Sequence, residues 1–158
     1  MTPAVRLLKS NKVPFELHQY KHDPSHNSFG VEAVEATGKP PQQVFKTLLF
    51  SLEGKSEGLG VAVIPVMKKL SLKRAAKANG LKKALMADPM LAQKVTGYLV
   101  GGISPLAQKK RLPIFIDASA QQLSSMCVSG GKRGLEIELA PSALLVQAQG
   151  KFVELTDD

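Results

Sequence analysis

One charge interrupts the apolar run QVFKTLLF at residues 43–50. At strand periodicity Val44, Lys46, Leu48 and Phe50 share one face, and Phe45, Thr47 and Leu49 share the other. Neither face reads as the solvated one. An ammonium so placed must snorkel to a sheet edge, meet an anion of the chain, or stand in a pocket where a ligand supplies the anion. A second stretch, YLVGGISPL at 98–106, reads as an apolar strand ending in Gly101 and Gly102, with Ser104 and Pro105 fixing the turn behind them. Backbone N–H groups in such a turn are suited to a carbonyl oxygen or an oxyanion.

Other reactive side chains carry less. His18, His22 and His26 are four apart, but Asp23-Pro24 breaks any helix that would align them, and no HExxH occurs, so no metal site is expected. Cys127, the single cysteine, sits in an apolar strand and reads as core; it allows neither a disulfide nor a cysteine zinc site. SGGKRG at 129–134 lacks the leading glycine and the Ser or Thr of a phosphate loop and reads as a hairpin turn. No GxSxG elbow is present. No cofactor is implied.

The elements that must hold these residues are short and varied. Thr2-Pro3 opens a helix, FELHQY suits a strand, and VEAVEAT suits a helix closed by Gly38. QVFKTLLFSL and LGVAVIPV form a hairpin, with Pro65 near the end of its second strand. Helices follow from Ser71 and from Asp88-Pro89, stopping before Gly80 and at Gly97. PIFID, the hairpin MCVSGGKRGLEIEL, a helix from Pro141 and a last strand KFVEL complete the chain. Hairpins interspersed with short helices predict an α/β fold of the α+β kind, with a mixed, largely antiparallel sheet flanked by helices. At 158 residues a single compact domain spanning 1–158 is expected. Neither a signal peptide nor a membrane span is read, so a soluble, cytoplasmic protein is expected.

The net charge of +8 is unevenly placed. Residues 58–135 hold thirteen Lys or Arg against two acids, Asp88 and Asp117. Within them Lys68, Lys69, Lys73, Arg74 and Lys77 form a cluster without an acid, followed by Lys82 and Lys83. Such a patch draws phosphates, or simply keeps a face solvated. With no Trp and only two Tyr, phosphate contact is favoured over base readout on an aromatic platform.

Taken together, VFKTLLF, GGISPL and SGGKRGLEIEL, in this order and spacing, resemble the YbaK branch of the YbaK/EbsC aminoacyl-tRNA deacylases over nearly the whole chain. The resemblance implies an editing-domain fold like that inserted in bacterial prolyl-tRNA synthetases. It also implies hydrolysis of a wrong amino acid from tRNA, for this branch cysteine on proline tRNA. Lys46 matches the family's essential lysine and Gly101 its glycine turn, as the catalytic pair; Tyr20, Phe29, Thr47, Gly102, Ser104, Pro105, Ser129 and Glu136 match substrate-binding positions. Lys68, Lys69, Lys73, Arg74 and Lys77 are then expected to meet tRNA, with prolyl-tRNA synthetase as a partner and neither membrane nor DNA involved. No side chain is a convincing nucleophile, which suits attack by the substrate's own thiol. A non-catalytic tRNA or aminoacyl-nucleotide binding module and a deacylase for another small ester, such as alanyl, remain open alternatives.

Overall fold

The computed structural model describes residues 1–23, 29–52 and 58–157, with the backbone alone at Phe29. The opening helix α1 spans Pro3–Ser10; Thr2 caps it by accepting from the Val5 N–H at 3.3 Å and donates its hydroxyl to the Gly130 carbonyl, fixing the helix to a distant turn. Strand β1 (Glu16–Gln19) and helix α2 (Phe29–Thr37) follow. A 3-10 turn at Pro41–Gln43 leads into β2 (Phe45–Leu52), which pairs antiparallel with β3 (Leu59–Pro65).

Helix α3 (Leu72–Ala78) is capped by Ser71, and α4 (Pro89–Thr96) by Asp88, whose carboxylate accepts from the Met90 N–H at 3.1 Å. Between them lies a strand that the sequence did not announce, β4 (Ala84–Met86), paired with the far end of β2. Three residues are too few to show a period. Beyond α4 come β5 (Ile114–Asp117), β6 (Met126–Ser129), β7 (Leu135–Leu139), helix α5 (Pro141–Ala148) and β8 (Gly150–Val153).

The strands form two sheets. β1-β7-β6 is antiparallel throughout, and β4-β2-β3-β5-β8 is mixed, with β5 parallel to both neighbours. A bridge between Val44 and Cys127 joins them. The architecture is thus α+β, with four antiparallel strand pairings and two parallel among the described residues.

Both faces of β2 are covered, which explains why its sequence shows no wet side. Phe45 and Leu49 enter the larger core with Val61, Val63 and Ile137, while Phe50 and Leu52 pack with Ala62, Ile64 and the alanines of α3. Gly60 accommodates the Phe50 ring, because a Cβ there would stand 2.4 Å from it. No helix among the described residues is long and apolar enough to cross a membrane.

One expected element is absent: residues 98–100 run through a bend and into a turn instead of forming a strand. Gly97 ends α4 at φ +81°, and Tyr98 plunges into the core, donating its hydroxyl to the Leu106 carbonyl at 2.8 Å.

Candidate active site

Where β2 emerges beside α2, the β6–β7 hairpin and the turn after α4, the fold leaves a cavity of about 470 Å³. Lys46 lines it and is half-buried. Its ammonium has neither a carboxylate nor a hydrogen-bond partner among the described residues. Burial, aided by the neighbouring Lys69 cation, holds its pKa below the ordinary lysine value. A half-desolvated cation without a counter-ion is a receptor for an anion or a polarised oxygen. Next to it Thr47 lines the same cavity with a buried hydroxyl oxygen that has no hydrogen-bond partner among the described residues.

On the opposite side, β7 directs Glu136 inward. The residue faces Ser129 across one strand pair and His18 across the other, and all but 7% of its surface is covered. Burial pushes its carboxyl up to about 8, so it carries a proton at neutral pH and can donate as well as accept. Ser129 lines the cavity with its oxygen accepting from the Gly131 N–H at 3.2 Å. The Tyr20 phenol, also on the wall, is pushed up to about 12 by burial and then by the Glu136 and Glu32 carboxylates.

Glu136 carries a stability prediction. Its folded pKa lies above the unfolded value of 4.5, so the unfolded chain releases the proton first, and stability falls as pH rises from about 4.5 through 8. Glu136→Gln is therefore expected to leave the melting temperature nearly unchanged at pH 4 and to raise it at pH 8, by on the order of a few kcal/mol of stability. Thermal melts of both proteins at the two pH values check this; equal shifts at both would contradict it.

The glycine turn is only partly as the sequence implied. Gly101, at φ +95°, lines the cavity, and its N–H makes no hydrogen bond among the described residues, leaving a donor at the wall. Gly102 is different. Its N–H is spent on the Leu99 carbonyl at 2.9 Å, and a Cβ there would lie 2.6 Å from the Lys132 Cα, so its smallness serves the close approach of two loops. Ser104 is fully buried and accepts from the Leu106 N–H at 3.2 Å, and Pro105 is buried beside it. Gly102, Ser104 and Pro105 therefore stand behind the cavity wall and shape the turn without lining the space. Phe29 opens α2; its side chain lies outside the described residues, as does the whole of His26.

The structure adds Glu32 and Arg133, which sequence reading passed over. Glu32 is 7% exposed and lines the cavity, where it accepts from the Asp23 N–H at 2.9 Å and shares a 2.6 Å hydrogen bond with His22 Nδ1. A partner ten positions away leaves no periodic signal.

His18 takes a different carboxylate. Glu138 accepts from Ser125 Oγ at 2.6 Å, meets His18 Nε2 at 2.8 Å and pairs with Lys39 at 3.3 Å. Burial opposes its ionisation most, yet these three contacts together hold it below the ordinary glutamate value. Donor atoms of His18, Cys127 and Glu138 lie within 4.8 Å of one another, but Glu138 is already saturated and burial first, then nearby carboxylates, push the Cys127 thiol up to about 12. The cluster is built for protons and an ammonium, with the ammonium of Lys39 occupying the cationic place.

Beyond the cavity, Lys68, Lys69, Lys73 and Lys77 are exposed. Arg74 departs from the expected set: its guanidinium is committed to Glu154 at 2.9 Å and Asp157 at 3.0 Å, tying α3 to the chain's end. Of these lysines, Lys69 is the one close enough to Lys46 to help lower its pKa.

Residues 24–145 match the aminoacyl-tRNA editing domain. The chain is 40% identical over 155 residues, covering 98% of it and 93% of the relative, to the Enterococcus faecalis protein named "Putative Cys-tRNA(Pro)/Cys-tRNA(Cys) deacylase EbsC". Two solved structures share the fold at 20% identity. One, described as "a putative trans-editing enzyme for prolyl tRNA synthetase", superposes with a TM-score of 0.82 over 100% of this chain and 99% of that one. The other, a hypothetical protein, gives 0.86 over 99% and 100%. With residues 24–145 matched by the family and a 40% identical relative covered over 93% of its length, the chain belongs to the aminoacyl-tRNA editing domain family.

Proposed function

We propose that the chain, acting as one domain, is a deacylase that removes mischarged amino acids from tRNA in trans, with cysteine on proline tRNA as its substrate. The observation that carries this reading is Lys46, a half-buried ammonium with no counter-ion among the described residues, in a cavity that also offers Thr47, Gly101 and two buried glutamates. An aminoacyl ester brings groups that complement this lining. Its carbonyl and ribose oxygens suit Lys46 and the Gly101 N–H, and its α-ammonium can donate to the carboxyl oxygens of Glu136.

An activated ester needs placement and relief of the negative charge that develops on its carbonyl oxygen. Lys46 serves as the fixed cation and Gly101 as a preorganised donor at that oxygen. Ser129 and Tyr20 bound the space around the amino acid. The Ser129 hydroxyl donates to no general base among the described residues, so the sulfur of a cysteinyl ester is the better nucleophile. Its attack on the carbonyl closes a four-membered thiolactone and expels the ribose oxygen, which takes up a proton; water then opens the ring to free cysteine. A cavity of about 470 Å³ admits proline as readily as cysteine, so selection rests on the thiol and not on size.

Lys68, Lys69, Lys73 and Lys77 would meet the phosphate backbone near the acceptor end. Four such contacts predict a slope of about −3 for log affinity against log salt, and Lys69→Ala is expected to make it shallower by about one. Filter binding of tRNA across a salt series checks both values, and a flat response contradicts the assignment. Phosphate contacts discriminate poorly among tRNAs, so association with prolyl-tRNA synthetase in the cytoplasm, where proline tRNA is charged, would supply the missing selectivity.

Turnover tests the reading as a whole. Release of free cysteine from cysteinyl-tRNA beyond one equivalent of protein supports a deacylase, whereas retention of the intact charged tRNA identifies a binding module.

A further inference from the structure

The cavity wall on the α4 side continues outward as an apolar lip. Met86 and Val100 line the cavity yet remain 49% and 44% exposed, and beside them Met90 and Leu99 are 70% and 73% exposed. Single apolar side chains on a surface need no explanation, but a contiguous group at a cavity mouth marks a contact site. The lip is also held in shape. Gln93 accepts from the Val100 N–H at 2.9 Å through Oε1 and reaches Met90 Sδ at 3.9 Å through Nε2, so the turn after α4 and the helix present one surface.

The mouth thus has two unlike sides, one carrying Lys46 with Lys69 near it, the other lined by exposed apolar side chains, two of them methionines. The inference rests on the reading that the cavity receives an aminoacyl ester. The esterified ribose then sits at the mouth with two groups still to place, a phosphate and a base. The phosphate belongs with the lysines. The base is a flat, polarisable, uncharged ring, and thioethers with aliphatic branches cover such a face well where no aromatic platform exists. We propose that Met86, Met90, Leu99 and Val100 form the binding site for the terminal nucleobase of the tRNA acceptor end.

Uncharged acceptor-stem RNAs ending in adenosine or in an abasic ribose provide the test, titrated against the wild type and the Met90→Ser, Leu99→Ser double variant. Both substituted residues are mostly exposed, and circular dichroism verifies folding. The wild type is expected to bind the adenosine-ended RNA about tenfold more tightly than the abasic one. The double variant is expected to lose that preference while keeping the salt slope. A variant that retains the full preference overturns the proposal, whether its affinity is unchanged, as for a lip that serves a protein partner, or lowered equally for both RNAs. Because no ester is cleaved, the outcome is separate from catalysis: base coupling without deacylation would preserve the lip and refute the deacylase, and deacylation without coupling would do the reverse.

Discussion

Lys46→Ala is expected to lower kcat/KM for deacylation about a thousandfold, toward the upper end of what a single preorganised electrostatic contact supplies to a transition state. The protein should fold as before. Lys46 is half-buried without a counter-ion among the described residues, so its removal breaks no ion pair and relieves the desolvation that depresses its pKa. Thermal melting within about 1 kcal/mol of the wild type, alongside the lost rate, separates this outcome from misfolding. Lys46→Arg keeps the charge but replaces a compact ammonium by a planar fork, and should restore only part of the rate. A snorkelling lysine would instead give an alanine variant with full activity.

A second large effect concerns the substrate. Seryl and cysteinyl esters on the same tRNA differ by one atom and nearly match in volume, so a cavity of about 470 Å³ should bind them alike. If sulfur attacks the carbonyl, the seryl ester should be cleaved slower by about a thousandfold or more, because a hydroxyl yields so little of its anion near neutral pH. Alanyl-tRNA, with no nucleophile at all, should be as inert. Similar rates for all three would instead mean that water attacks, with Lys46 and Gly101 polarising the carbonyl for any small amino acid. Single-turnover rates with the three charged tRNAs decide between these routes.

How much of this was legible in the sequence differs from residue to residue, for physical reasons. Lys46 stood out because a charge violates the period of an apolar strand, and that strand is real and covered on both faces. The caps at Ser71 and Asp88 were legible because capping is a local contest for a few N–H groups. The glycine turn misled in part. Two adjacent glycines look equivalent in a sequence, yet the one that lines the cavity makes no N–H hydrogen bond among the described residues and the other spends its N–H on Leu99. Arg74 looked like its lysine neighbours, since its acidic partners lie eighty residues on. Glu32 was hidden for a similar reason: it reads as one of two acids on a short helix until the fold sets it against His22. Local signals thus gave the elements, while pairings made across the chain decided which polar groups are free to act.

The most direct test follows amino acid release from cysteinyl-tRNA and prolyl-tRNA for proline, with wild-type protein and with Lys46→Ala. Rapid loss of the cysteinyl ester alone, abolished by the substitution, is the predicted result. Loss of neither ester above the buffer rate, or of both equally, would contradict it.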